Sequence, residues 1–438
     1  MSLRRFKYSA VADWEPVRSW LSGRQQPESM MDDPVRSILN AVREHGDRAL
    51  VEYTRKFDCK EFHVHQIKVP VASIAQAVDE VPRPDLDIIA EAAANIRSFH
   101  ERQIRQSWIT TGEDGTVQGQ LVRPVDRAGL YVPGGKGGET PLLSSLLMNA
   151  IPAQVAGVGE LAVVSPPRQD ATLNPYLLAT AALLGIEEIY MAGSAWAIAG
   201  LAYGTTTIPA VDMVTGPGNI FVTTAKRLLQ GQVGIDMIAG PSEIVVLADA
   251  SARPEWVAAD LLSQAEHDPL ASAICIAVEG ELLDEIEQAL SRQLEELGRQ
   301  EIARQSLDSW GALIEVPDVS AGIDLVNLLA PEHFELCVQD PWLHVGRLRN
   351  AGAVFMGHHT CEPLGDYFAG PNHILPTMGT ARFSSALSVE TFCKRISLVA
   401  SSPGYVAQHG SKVARLARLE GLEAHARSME KRLKTEDH

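Results

Sequence analysis

Gln264 and His267 close the run Trp256–Val–Ala–Ala–Asp–Leu–Leu–Ser–Gln–Ala–Glu–His267, and their spacing is the first sign of chemistry. Apolar residues at 257, 258, 261, 262 and 265 follow a helical period. Pro254 suits a first turn and Asp268–Pro269 a stop. A helix through residue 267 would set the amide and the imidazole on one face, i and i+3, able to hold two corners of a metal site. Taken alone, they describe a polar helix end in water better than a site. Ala330–Pro–Glu–His333 places Glu332 beside His333 after a helix and before a strand. A neutral imidazole can take a proton and an adjacent carboxylate can activate a water, although a loop salt-bridge pair is an equal reading. Leu364–Gly–Asp–Tyr–Phe–Ala–Gly–Pro–Asn–His373 is a Gly- and Pro-rich loop whose reactive groups are Asp366, a hard oxygen ligand, and His373. His358 and His359 fit a solvated turn. In Glu420–Gly–Leu–Glu–Ala–His425 a lone His opening a tail helix reads as a surface residue. Together a Gln, two His and an Asp make an N₂O₂ set that suits Zn²⁺ with room for substrate.

The elements around these residues set a frame. From about 33 to 106 the pattern is helical, a scaffold. From Gly129 short apolar strands near 130–132, 161–165, 188–192 and 212–215 alternate with helices 140–156, 174–184, 195–203 and 218–230. From Gly240 strands 244–248, 273–278, 312–316, 334–338 and 353–356 alternate with helices 254–267, 281–297, 320–330 and 342–350. Two α/β units follow, each with a doubly wound parallel sheet of Rossmann-like design. The expected domains are an arm over 1–24, a first α/β domain from 25–130 and 242–387, a second over 131–241 and a helical tail over 388–438. The loop Pro133–Gly–Gly–Lys–Gly–Gly138 fits neither common phosphate-loop fingerprint, which disfavours a kinase-like site. With Ser165–Pro–Pro, Ala192–Gly–Ser194 and Thr215–Gly–Pro–Gly–Asn219 it would line one carboxyl edge, where a dinucleotide can bind.

A formal net charge of −17 over 438 residues argues against broad binding to nucleic acid or anionic membrane. The five cysteines, at 59, 275, 337, 361 and 393, are scattered without a C-x-x-C pair, which argues against a disulfide framework and for a reducing, cytoplasmic compartment. The N-terminal charges precede no apolar core, so no signal peptide is expected. Residues 140–159 lack charge, but Asn149, Pro152 and Gln154 interrupt them, so a buried helix is expected there, not a membrane span.

Long motifs are similar to those of the histidinol dehydrogenase family over about residues 30–432. They are Gly129–Leu–Tyr–Val–Pro–Gly–Gly135, Gly216–Pro–Gly–Asn219, Val233–Gly–Ile–Asp–Met–Ile–Ala–Gly–Pro–Ser–Glu243, Leu261–Leu–Ser–Gln–Ala–Glu–His–Asp–Pro269, Ala330–Pro–Glu–His333, Gly365–Asp–Tyr–Phe–Ala–Gly–Pro–Asn–His373 and Glu420–Gly–Leu–Glu–Ala–His425. The resemblance implies four-electron oxidation of L-histidinol to L-histidine through a held aldehyde, with two NAD and one Zn²⁺ per subunit. It implies Gln264, His267, Asp366 and His425 as zinc ligands that also hold substrate, and Glu332 and His333 as the acid/base pair. Ser242, His333, His373 and Glu420 would contact substrate, and Tyr131 and Asn219 would contact NAD. It further implies a homodimer in which one subunit's tail completes the other's site, giving the distant His425 a role.

One position departs from the family. Gly193–Ser–Ala–Trp196 stands where Gly–Gly–Ala–Gln is usual, so an indole replaces an amide counted as a cofactor contact. Trp196 could stack on or wall in NAD. Two other readings compete: a paralogue oxidising another small alcohol on the same scaffold, and a non-catalytic zinc or nucleotide-binding protein. The first would relax the imidazole-facing positions and the second would lose the acid/base pair; both features are intact.

Overall fold

The computed structural model describes residues 3–24, 31–135 and 138–433, so Lys136 and Gly137 of the glycine loop lie outside the described residues. Two compact units emerge. One comprises Met1–Gln103 and Val125–Phe392, the other Ile104–Pro124 and Cys393–His438.

The first unit holds two parallel sheets. In the six-stranded sheet the order is Arg4–Lys7, Gly311–Glu315, Ser272–Ala277, Glu243–Ala248, His333–Cys337 and Ala353–Met356. Its four inner strands are almost wholly buried and read as continuous apolar runs because helices cover both faces. Side chains alternate across the pleat. Ile244, Val246, Ala273 and Cys275 meet the helices Pro254–Ala265, Gly280–Leu294 and Gln300–Trp310. Val245, Leu247, Ile274 and Ile276 meet Val17, Ile323 and Val326 on the other side. The expected arm thus supplies an edge strand and a covering helix, Trp14–Ser22, whose Val17 is buried. Gln300–Trp310, a helix the periodicity did not announce, packs its Ala303 and Leu307 into this core. The helix expected near 342–350 is a 3-10 segment, Pro341–Arg347.

The five-stranded sheet runs Ile189–Met191, Glu160–Ser165, Arg127–Tyr131, Met213–Thr215 and Gly234–Ile235, again all parallel. The uncharged stretch near 140–159 is the helix Leu143–Ala156, buried over Ser145–Ala153. Among the described residues no helix is long and apolar enough to cross a membrane. The scaffold helices Asp32–His45, Asp47–Phe57, Val71–Glu80 and Arg83–Glu101 bury Val35, Leu39, Leu50 and Ile96 in the cluster that covers this sheet. They pack with residues 131–241 where the sequence grouping set them with 242–387.

The second unit differs most from expectation. Residues from 388 onward were expected to be helical, yet Cys393–Ala400 is a strand. It pairs antiparallel with Val117–Pro124 over eight positions, and Trp108–Thr111 completes a three-stranded sheet. Two helices follow, Pro403–Leu419 and Glu423–Leu433.

Candidate active site

The helix that carries Gln264 stops at Ala265, two residues earlier than expected. His267 lies in the turn beyond, its N–H donating to the Gln264 carbonyl at 3.2 Å, so the two stay one turn apart. Gln264 is fully buried, and neither its amide oxygen nor its nitrogen has a hydrogen-bond partner among the described residues. A buried amide left so costs about 1–3 kcal/mol, so both atoms call for a partner that the described residues do not supply.

Glu332 and His333 reach the same region from the start of a strand. The preceding helix, Val319–Leu329, ends at Ala330 in the left-handed region (φ 50), and Pro331 prevents its continuation. Gly352 then passes so close that a Cβ there would sit 2.6 Å from the Glu332 carbonyl. The pair is anchored by one peptide unit on each side of Glu243. The Glu243 N–H donates to Glu332 Oε2 at 2.8 Å, and the Glu243 carbonyl lies 3.0 Å from His333 Nδ1. That carbonyl can only accept, so Nδ1 carries a hydrogen, and Nε2 holds the lone pair whenever the ring is neutral. Nε2 is buried, without a hydrogen bond among the described residues, and 3.6 Å from Asp366 Oδ1.

Asp366 stands in a single π-helical turn, Gly365–Ala369, a distortion frequent at functional sites. Its backbone carbonyl lies 3.0 Å from His373 Nδ1. One turn earlier is Glu362, almost fully buried, its Oε2 accepting the Ser263 hydroxyl at 3.1 Å. Donor atoms of His333, Glu362 and Asp366 fall within 4.8 Å of one another, close enough to share an ion. Glu362 escaped the sequence reading. Its i, i+4 relation to Asp366, just before Pro363, was the available signal.

The electrostatics match the crowding. Burial pushes the Glu332 carboxyl up to about 8, against His333 and the Glu243 N–H. Burial opposes charge on the His333 ring, but the carboxylates of Glu332, Asp366 and Glu362 outweigh it and raise the imidazole. Burial would raise Asp366 too, yet His333, then His373 and His267, hold it below its ordinary value. His373 is lowered, first by burial. His267 keeps exposed surface, but the protein packed around its ring lowers it, with Asp366 opposing. Three acids thus converge on His333, and Gln264, next to the Ser263 that bonds Glu362, keeps two unmet polar atoms. A divalent cation fits this set because it would offset the carboxylates and occupy the amide oxygen.

Ser242 precedes the strand from Glu243, and its carbonyl accepts from Arg24 at 3.3 Å and from the Ser272 N–H at 3.0 Å. Glu420 and His425 belong to the second unit, Glu420 at the end of Pro403–Leu419 and His425 in the first turn of Glu423–Leu433; both are exposed. The residues brought together in the first unit are therefore His267, Glu332, His333, Asp366 and His373, with Gln264 on the adjoining helix turn.

The other set of candidates lies at the carboxyl edge of the five-stranded sheet. Tyr131 ends its strand and accepts the Ser194 N–H at 3.2 Å. Asn219 caps the helix Ile220–Leu229, its side-chain oxygen accepting from Phe221 and Val222. Gly216 (φ 117) approaches Tyr131 so closely that a Cβ would lie 2.1 Å from its carbonyl oxygen, and Lys226 Nζ donates to the Gly216 carbonyl at 3.0 Å. Asp58, unnoticed in the sequence, adjoins Gly193. Its Oδ2 is buried and has no partner among the described residues, and burial pushes the carboxyl up to about 6. Trp196 is 4% exposed, stacked on Tyr53 and Phe57, with Nε1 donating to Thr54 at 3.2 Å. The exposed ring of this stack is Phe57, at 58%.

A family model described as Histidinol dehydrogenase matches residues 22–433. The chain is 59% identical over 433 residues to a histidinol dehydrogenase of Oleidesulfovibrio alaskensis, covering 99% of this chain and 100% of that one. It is 60% identical over 428 residues to one of Nitratidesulfovibrio vulgaris, covering 98% of each. A crystal structure of histidinol dehydrogenase from Elizabethkingia anophelis superposes with a TM-score of 0.92 at 35% identity, covering 99% of this chain and 98% of that one.

Proposed function

Because the chain belongs to the histidinol dehydrogenase family, we propose that it oxidises L-histidinol to L-histidine in two steps through L-histidinaldehyde, consuming two NAD at a zinc-dependent site. The observation that carries this reading is the double anchoring of Glu332 and His333 on Glu243 beside Asp366. Gln264, His267 and Asp366 would hold Zn²⁺ together with His425. The bound ion supplies positive charge that orients the substrate's amine and imidazole nitrogen and offsets the site's carboxylates, and bound NAD supplies the hydride acceptor.

The chain's own groups then divide the proton work. His333 presents Nε2 to the substrate hydroxyl and takes its proton as the first hydride leaves. Glu332, held by the Glu243 N–H, deprotonates the water that adds to the aldehyde carbon, and the second hydride leaves the hydrated carbon. Ser242 and His373 contact substrate. Glu420 and His425, exposed in the second unit, would be supplied by another copy of the chain in a homodimer. Residues 131–241 form the NAD-binding half, with Tyr131 and Asn219 facing the cofactor. Trp196 acts from behind, holding Phe57 as the exposed face of the stack. The five cysteines, none in a disulfide and three of them buried, accord with a reducing cytoplasm.

The deciding measurement is NADH formed per L-histidinol consumed. Two equivalents are expected. One would reduce the protein to an alcohol dehydrogenase, and none would point to another alcohol. Exhaustive chelation should abolish the activity and Zn²⁺ restore it; activity indifferent to metal removal would end the zinc assignment.

A further inference from the structure

Behind the Glu332–His333 pair lies a second pair of acids with no part in that chemistry. Glu335 follows His333 by two residues on the same strand, hence on the same face, and is fully buried. Asp260 stands one turn before Gln264 on the helix Pro254–Ala265. Glu335 Oε1 accepts the Glu362 backbone N–H at 2.8 Å. Its Oε2 is buried and has no hydrogen-bond partner among the described residues, and Asp260 is the neighbouring acid that interacts with the Glu335 carboxyl. Two neighbouring buried carboxyls resist double ionisation, and a proton shared between them would supply the missing hydrogen bond. Burial raises both groups, consistent with that sharing.

We propose that Glu335, braced on Asp260, is a positioning residue for the active site: it fixes the Glu362 backbone and so sets where the Glu362 and Asp366 carboxylates stand against His333. The elements bearing the site meet at this one side chain. His333 leaves from its strand, Gln264 from the helix of Asp260, and Asp366 from the turn that Glu362 opens. Ser263, next to Gln264, ties the same helix to the same turn through Glu362 Oε2. An apolar residue could fill the space of Glu335 but would leave the Glu362 N–H without an acceptor. A single ionised carboxylate would add repulsion toward Glu362. A carboxyl that shares a proton does neither.

The inference rests on the catalytic reading above, and its test separates the two. Wild type, Glu335→Gln, Glu335→Leu and Asp260→Leu are compared by thermal unfolding, by kcat and KM for L-histidinol, and by the visible d–d spectrum after loading with Co²⁺. Gln can accept the Glu362 N–H and donate to Asp260, so Glu335→Gln should keep kcat and the Co²⁺ spectrum. Glu335→Leu, still folding cooperatively, should lose roughly 10–100-fold in kcat with KM changed less, and its Co²⁺ bands should move. Unchanged kcat and spectrum in a folded Glu335→Leu overturns the proposal. So does a Glu335→Gln variant as impaired as Glu335→Leu, which would assign the effect to acidity, not position. Should Glu335→Leu aggregate, Asp260→Leu decides: an altered spectrum supports the brace and an unaltered one refutes it. A wild type that binds Co²⁺ yet leaves L-histidinol untouched defeats the catalytic reading alone, and the spectral comparison still stands.

Discussion

Glu332→Gln should separate the two oxidations. The amide can still accept the Glu243 N–H that meets Glu332 Oε2 at 2.8 Å, so the side chain keeps its place. It can no longer take a proton. Loss of a positioned general base costs about 10²–10⁴ in rate, or roughly 3–5 kcal/mol in barrier, and that loss should fall on the step that needs an activated water, aldehyde to acid. In the proposed reaction the alcohol step draws on His333 Nε2, and it should change by less than about tenfold. A subsidiary effect has a defined sign. The Glu332 carboxylate, 3.7 Å from His333 Nδ1, is the strongest of the groups that raise the imidazole. Its removal should lower the His333 pKa and move the pH–rate profile of the alcohol step toward acid. Stopped-flow NADH absorbance at saturating L-histidinol should show a burst of one NADH per site, then a slow phase. Equal slowing of both phases would refute the assignment of Glu332 to water, and loss of the burst would make it the base of the first step.

Stability of the metal-free protein should fall as pH rises from about 5 to 9. Glu332 and Glu335 are raised from 4.5 to about 8 and about 9, so the folded state holds protons that the unfolded chain has released. Their stabilisation is complete below the unfolded value and is lost as pH climbs through the folded ones, at up to about 1.4 kcal/mol per pH unit per proton. Denaturant midpoints at several pH values give the slope, and stability that rises over this window would contradict the burial argument. Trp196→Gln should destabilise the fold by about 2–4 kcal/mol, since a buried ring stacked on Tyr53 and Phe57 is lost. NAD affinity by titration should weaken as Phe57 loses its backing, whereas an unchanged midpoint would show that the stack carries little energy. Mixed dimers of inactive His425→Ala and inactive His333→Ala chains should regain part of the activity, because one of the two sites would draw both residues intact. Verified heterodimers without activity would mean that each chain builds its own site.

Strand and helix alternation was legible over 129–356 because both sheets are parallel and covered, so their strands are short apolar runs between amphipathic helices. The second unit's sheet was not. Trp108–Thr111 is exposed throughout and Cys393–Ala400 nearly so, leaving no buried face to impose a pattern, and the pairing joins segments far apart in sequence. Glu332, His333 and Asp366 could be found by type and spacing. Glu243 could not, since it acts through its peptide N–H and carbonyl, which any residue possesses. Nor could Glu335 and Asp260, whose partnership depends on a strand and a helix meeting. By sequence Trp196 reads as a wall for the cofactor, and only its packing on Tyr53 turns it into a support.

The pairing of Cys393–Ala400 with Val117–Pro124 also orders events during synthesis. The ribosome releases the second strand about 270 residues after the first, and chains fold domain by domain as they emerge. Throughout that interval Val117–Pro124 has Trp108–Thr111 on one side and an open row of eight backbone positions on the other. An edge left waiting is a template for the wrong neighbour. Slowing translation between 125 and 392 lengthens the exposure, and a nascent chain stalled there is the species most in need of a chaperone.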